Sequence, residues 1–482
     1  MPLPPLWLDA DSPALRAGLA RIRQELEVPG PHTPAAVAEA EASAHAVLHQ
    51  LDVERLDARD LELVTIDPPG SRDLDQALHV EGRPWGWRVR YAIADVPAFV
   101  APAGVLATEL QARGVTYYLP DERAPLHPAR IGEDAASLLP GQDRPALLWD
   151  IDLDRDGAVT RVDLHRAVVR SRAQLTYAEV QAEVDSGRAN GTLAALAEVG
   201  QRRQAIEADR DGVSLDLPSQ RIVDDGAGRY RLEHEDPVPA MGWNAQISLL
   251  TGMVAAEAML AAGVGLLRTL PPPEDEVEAR VRRTARGLGL DWPDGATYQA
   301  LVRQLDGSEP AEAAVLLVAA RGLRGAGYLA LVPGQPAPED PAALRHAAVA
   351  APYAHVTAPL RRLCDRAALE VCLALHSGAD VPPHVLAELP ELPQVMAEAR
   401  GREGAANRAA VDLVEALLLA PHVGEVVTAT VVTSAPERST VVLGQLAVEA
   451  VVEGAELPLA ETVELRVVAV DVEARQVELA PA

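Results

Sequence analysis

The run "TIDPPGSRDLDQALHV", residues 65–80, places Asp67, Asp73 and Asp75 within nine positions and follows them with the neutral Gln76. Like charges this close repel, and a folded chain seldom gathers them without a counter-charge. Hard oxygen donors in a tight group suit Mg2+ or Mn2+, which keep waters and accept phosphate oxygens. Such a cation orients a water, raises its acidity and stabilises both the attacking and the leaving oxygen in phosphodiester cleavage. The plainer reading is a solvated acidic turn. "LELVTID" reads as a strand ending at Asp67, "PPGS" as a turn, and "RDLDQALHV" as a return whose alternation puts Asp73 and Asp75 on one face.

Three other stretches carry chemical side chains. "PYAHVTAPLRRLCDR" sets Arg361 and Arg362 at the predicted start of a helix, with Pro359 in its favoured first-turn place. Guanidinium forks beside helix amides grip a phosphodiester; the alternative is an ordinary surface pair, and His355 nearby is more often structural than a ligand. "GVTYYLPDERAPLHP" sets Tyr117 and Tyr118 side by side in a chain with only 3% aromatics. Tyrosines often serve a core, but an exposed ring stacks on a base for about 1–3 kcal/mol. "DLDRDG", from Asp152 to Gly157, with Asp163 in the twelfth place, nearly matches a calcium loop. That loop wants glutamate at twelve, and the flanks here alternate like strands, so a hairpin with a DG turn is the better reading.

The elements that must position these residues follow from pattern. A chain of 482 residues implies two to four domains. Residues 1–60 read as helical, with Ser12 and Thr33 as caps and Pro34 at a first helical position. From 61 the pattern turns to strands, after about 175 it is mostly helical, and 421–482 returns to five short strands that suit an OB barrel. No run of 18 apolar residues predicts a membrane span, and "MPLPPLWLDADSP" lacks the pattern of a secretory signal. Cys364 and Cys372, eight apart on a predicted helix, are too far apart for a disulfide, and a cytoplasmic location is expected. A net charge of −28 argues on average against a nucleic-acid partner. A deep channel needs only local positive charge, however, and all 43 basic residues are arginine, the better bidentate phosphate ligand.

Taken in order, these pieces resemble the ribonuclease II family, whose catalytic domain is called RNB. "TIDPPGSRDLDQA" resembles the family's first motif, and "YAIADV", "YYLPDERAPLHP", "ASLLPGQDRPAL" and "SRAQLTYAEV" resemble its following blocks. "YAHVTAPLRRLCD" resembles its late arginine motif, and the similarity runs from about 61 to 482. The resemblance implies an α+β protein with three parts: a short helical domain at 1–60, a helix-turn-helix being one reading of it; an RNB domain of mixed sheet and helices at 61–420; and an S1-like five-stranded OB barrel at 421–482. It implies a hydrolytic exoribonuclease, sufficient as a monomer, that degrades single-stranded RNA 3′→5′ to nucleoside 5′-monophosphates with Mg2+, Mn2+ being the other candidate. Carried over by motif, Asp67, Asp73 and Asp75 are catalytic metal-site residues, with Gln76 in the fourth ligand place. Arg361 holds the scissile phosphate with Arg362 beside it, Tyr118 stacks on a base, and Asn407 lies near the terminal nucleotide.

The sequence departs from the family pattern in places. Gln76 stands where the family has a fourth aspartate; its neutral carbonyl still serves a metal, with weaker affinity and Mn2+ preferred as the expected result. Val264 falls where ribonuclease II has a base-clamping phenylalanine, Asn407 at a glutamate, Leu363 at a tyrosine and Ala358 at a serine. About 60 helical residues precede the first motif where the family has two cold-shock OB domains, which predicts a more open RNA entrance and tolerance of structured RNA. Residues 421–482 hold no Phe, Tyr or Trp, leaving Arg438, Arg466 and Arg475 to guide a strand weakly. Two other readings stay open: a degenerate RNB scaffold that binds RNA 3′ ends, and a metal hydrolase acting on DNA or a short oligonucleotide.

Overall fold

The computed structural model describes residues 6–189, 191–213, 219–225, 228–235, 237–293, 295–307, 309–443 and 448–482. Residues 1–5 of the stretch read for a secretory signal, and 444–447 within the predicted barrel strands, lie outside the described residues. The fold is α+β, as expected, with 41% helix and 26% strand.

The centre is a curled seven-stranded sheet, in the order Ala173–Leu175, Val64–Ile66, Gln76–Arg83, Gly86–Ala94, Asp143–Asp154, Val159–Arg170, Leu56–Ala58. Its inner ladders are antiparallel, and the two outermost pairs are parallel. Period-2 alternation sends Tyr91, Ile93, Trp149 and Ile151 into the main core and Ala92, Ala146 and Leu148 into a second cluster on the other side. The helices Gly191–Asp209, Pro239–Ala262 and Leu363–Ser377 contribute to that main core. Pro239–Ala262 is the one described helix long and apolar enough to cross a membrane, and more than half of it is buried inside the protein. The "DLDRDG" run is a hairpin: Asp163 pairs with Asp150 across the ladder, and Gly157 turns the chain at φ +87°.

The N-terminal segment is built partly as predicted. Thr33 caps the helix Pro34–His49, its hydroxyl accepting from the Ala36 amide at 3.2 Å, whereas Ser12 precedes the helix Pro13–Glu25 without a side-chain capping bond. Leu15, Leu19 and Ile22 pack with the long helix Leu392–Leu419, and Ala36, Ala40 and Ala44 enter the main core. Within the region read as mostly helical, Ser219–Asp224 and Arg229–Glu235 form a hairpin that Leu8–Asp9 extends to three strands. Alternation is present there, but arginine and acidic side chains on both strands mask it. Cys364 and Cys372 are buried free thiols.

Residues 426–481 make a five-stranded antiparallel sheet with inner edge-to-edge approach between Val448–Glu453 and Gln476–Pro481. Val427, Ala429 and Val431 fill its interior on the alternation seen in the sequence.

Candidate active site

Asp67 follows the strand Val64–Ile66, and its amide donates to the Leu175 carbonyl at 3.0 Å. Gly70, at φ +80°, lets the chain double back, a conformation that costs a side chain with a Cβ. Leu74 then faces the core, and the Asp73 carboxylate acts on both Asp75 and Asp67. Asp75 is 3% exposed. Its Oδ1 accepts from the Leu360 amide at 2.7 Å, and its Oδ2 lies 3.6 Å from Arg361 Nε. Burial pushes Asp75 up to about 8 against the pull of Arg361 and that amide, and pushes Asp67 up to about 6. Asp67 Oδ2 is buried with no hydrogen-bond partner among the described residues. These carboxylates are under-compensated, which is the condition a bound cation relieves.

The second half of the site is the loop before Leu363–Ser377. The helix starts at Leu363, so Pro359 and both arginines precede it; this corrects the expectation of arginines inside its first turn. The turn takes its shape from neighbours instead. The Arg361 carbonyl accepts from the Thr116 amide at 3.1 Å, the Leu363 amide donates to Gly114, and buried His127 Nε2 donates to the Pro359 carbonyl at 3.0 Å. Arg361 is half exposed beside Asp75. Arg362 turns the other way: Nε and Nη2 grip Asp365 at 2.9 and 2.7 Å, and Asp365 has no exposure. The two adjacent arginines are therefore separated in role, one facing the carboxylates and one anchoring the loop. Gln76 joins the halves directly, its side-chain amide donating to the Thr357 carbonyl.

Tyr118, 39% exposed, gives its hydroxyl to Asp73 Oδ2 at 3.2 Å, while Tyr117 is core. Arg123 lies opposite Tyr118 in a two-residue ladder, and its Nη1 reaches Asp73 Oδ1 at 3.0 Å and its Nη2 reaches Glu133 at 3.0 Å. Sequence reading missed Arg123; the signal was the short tyrosine hairpin, since directly opposed residues share a face.

The RNB domain family matches residues 55–374, and the RNase II-type exonuclease C-terminal S1 domain matches 425–482. The chain belongs to the RNB family. It is 30% identical to the exosome complex exonuclease RRP44 homolog A of Arabidopsis thaliana over 71% of this chain and 37% of that protein. It is 28% identical to ribonuclease R of Escherichia coli over 67% of this chain and 41% of that protein. The chain thus spans well under half the length of these curated relatives. The fold is shared with Mycoplasma genitalium RNase R in complex with ribose-methylated single-stranded RNA, at TM-score 0.86 and 18% identity over 98% of this chain and 78% of that one. It is also shared with yeast Ssd1, a pseudonuclease, at TM-score 0.71 and 16% identity over 95% of this chain and 57% of that one.

In this RNB chain the remaining predicted positions fall outside the carboxylate cluster. Asn407, on the long helix, donates to Glu403 one turn back at 3.2 Å, and no described hydrogen bond links it to the aspartates. Val264, Ala358 and Leu363 are buried. In the S1 domain, Arg475 pairs with Glu25 at 2.8 Å, Arg466 donates to the Gly424 carbonyl, and exposed Arg438 lies 3.6 Å from Glu453. The donor set of the centre is all oxygen, with one orphaned buried carboxylate atom, and it fits a hard divalent cation.

Proposed function

We propose that this chain is a metal-dependent hydrolytic 3′→5′ exoribonuclease that removes nucleoside 5′-monophosphates from single-stranded RNA. The observation that carries the reading is the under-compensated pair Asp67 and Asp75, with Asp73 beside them, facing the half-exposed guanidinium of Arg361. Asp67, Asp73 and Asp75 would hold Mg2+ or Mn2+, with the Gln76 carbonyl oxygen as a neutral fourth donor, and the cation would supply Lewis acidity and a more acidic water. Arg361 is placed to neutralise charge that develops on the phosphoryl oxygens next to those carboxylates. Its partner Asp75 holds it there by an ion pair, and the Leu360 amide holds Asp75. The Tyr118 ring is exposed for stacking on a base while its hydroxyl steadies Asp73. Arg362 and His127 do not touch substrate in this scheme; they set the loop that aims Arg361. A monomer in the cytoplasm would suffice, since all these residues come from one chain.

The test uses a 5′-labelled single-stranded RNA and its DNA analogue with Mg2+, with Mn2+ and with EDTA. Metal-dependent collapse of the RNA to a short 5′ fragment with release of 5′-monophosphates, the DNA staying intact, is expected. A second reading, an RNB scaffold that binds RNA 3′ ends without cutting, is favoured by one observation: the Gln76 amide is committed to the Thr357 carbonyl. Intact RNA with both metals and a retained gel shift would select it.

A further inference from the structure

A second charged group, centred on Arg268, is not used by the scheme above; the Arg268 amide donates to the Tyr353 carbonyl, on the segment that leads to Arg361, at 2.7 Å. The strands Gly265–Thr269 and Gly327–Leu331 pair antiparallel, with Arg268 opposite Tyr328. The Arg268 guanidinium sits over the Tyr328 ring at 4.6 Å, and its Nη1 donates to the Gly327 carbonyl at 3.2 Å. Arg268 is 6% exposed, and no carboxylate pairs with it among the described residues. The Tyr328 hydroxyl is 2.8 Å from His355 Nδ1, and the Tyr353 ring stands edge-on to His355 at 5.6 Å. Arg400 is exposed on the helix Leu392–Leu419, which packs against the strand Gly327–Leu331, and it has no ion pair among the described residues. Burial pushes the Arg268 guanidinium down, Tyr328 opposes that, and Arg400 and Arg362 add to it. Burial, then Arg362, Arg268, Arg400 and His346, hold the His355 imidazole well below its ordinary value.

The excess charge here is positive. Arg362 takes both oxygens of Asp365, and Arg268 has no carboxylate partner among the described residues. A buried cation without a counter-ion is costly, so the arrangement calls for an anion. A cation is the weaker occupant. His355, Cys364 and Asp365 do bring donor atoms within 4.8 Å of one another. But Asp365 is also spent on the Ala358 amide, burial keeps the Cys364 thiol protonated, and the arginines repel a metal.

We propose that Arg268, His355 and Arg400 form a phosphate subsite, floored by Tyr328, that holds one internal phosphodiester of the RNA while Arg361 holds the scissile one. The proposal rests on the ribonuclease reading. Charge-assisted donors on a fixed aromatic floor read backbone and not base, so the grip is independent of sequence.

The experiment measures binding of single-stranded RNA to the full chain in EDTA, by fluorescence anisotropy at several salt concentrations. A set of oligonucleotides carries one neutral methylphosphonate linkage at successive positions. With the wild-type chain, one internal linkage is expected to show a loss of about tenfold, the size of a charged hydrogen bond. Arg400→Gln should bind unmodified RNA about tenfold more weakly at low salt, lower the salt slope by about 0.7, and become blind to that one methylphosphonate. His355→Gln should reduce the penalty at the same linkage. Arg268→Gln should do the same if circular dichroism shows it folded; exposed Arg400 keeps the test decisive if it is not. A wild-type salt slope and an unchanged linkage pattern in Arg400→Gln would overturn the subsite. Wild-type chain that degrades RNA while the variants match it sinks the subsite alone; wild-type chain that neither binds nor degrades RNA sinks the ribonuclease reading with it.

Discussion

Two acidic runs of nearly the same composition meet opposite fates in this molecule. Asp150, Asp152 and Asp154 sit on and beside a hairpin where arginine and backbone amides answer them. Arg88 grips Asp152 at 2.6 and 2.9 Å and approaches Asp150, and Asp154 Oδ1 accepts from two turn amides. The Arg88 hydrogen bonds, outweighing partial burial, hold Asp152 below its ordinary carboxylate value. Asp67 and Asp75 are pushed the other way, to about 6 and about 8, because burial outruns their partners. Spacing of aspartates does not distinguish a structural turn from a reactive centre; the balance between desolvation and compensation does.

Substitutions across the two runs test that contrast. Asp75→Asn should lower RNA turnover by roughly a thousandfold or more, as loss of a group acting in the transition state does. It should keep the thermal midpoint in EDTA, because the asparagine Oδ1 still takes the Leu360 amide. Asp152→Asn should do the reverse, leaving turnover within about twofold and costing about 1–2 kcal/mol in urea unfolding, since it breaks a paired, mostly buried charge. Equal loss of turnover in both variants would erase the comparison.

Gln76→Asp carries the next largest effect. It adds the missing negative charge but removes the donor to the Thr357 carbonyl. The Mn2+ concentration for half-maximal binding, read by calorimetry, should fall by roughly tenfold on Coulombic grounds, while the metal-free protein melts lower. A wild-type Mn2+ affinity in this variant would mean that position 76 faces no cation.

A milder prediction concerns a buried carboxylate far from the chemistry. Glu415 accepts from Gln220 at 2.6 Å and from the Glu449 amide at 2.8 Å, yet burial pushes it up to about 7. Its folded value lies above its unfolded one, so the fold favours the protonated form. Its contribution is complete below about pH 4 and is lost as pH rises toward 7. Glu415→Gln should melt with the parent at low pH and several degrees above it at pH 8. Parallel melting curves across that range would show that Glu415 titrates normally. The smallest effect is expected for Tyr118→Phe, which keeps the ring and loses one hydrogen bond to Asp73, a change of severalfold in turnover. Tyr118→Ala should cost more, through RNA affinity.

Much of this is legible in the amino-acid sequence. The strand, turn and return around Asp67, Asp73 and Asp75 follow from alternation and from Gly70, and the hairpin nature of "DLDRDG" follows from its flanks. The barrel strands at 426–481 follow from short β-branched alternation. The split between Arg361 and Arg362 was not readable, because it depends on Asp365 and on the Gly114–Thr116 segment, more than 240 residues away in sequence. Arg123 and Arg268 were missed because nothing local distinguishes them from the other arginines.

The sequence by itself determined the family, the fold class and the group of carboxylates that must answer a charge problem. These rest on local periodicity and on several motifs kept in order. Only the tertiary structure decided which charges stay under-compensated: Asp67 and Asp75 in one place, Arg268 in another. Desolvation depends on what packs around a group from distant parts of the chain, and that is the quantity a linear pattern does not contain.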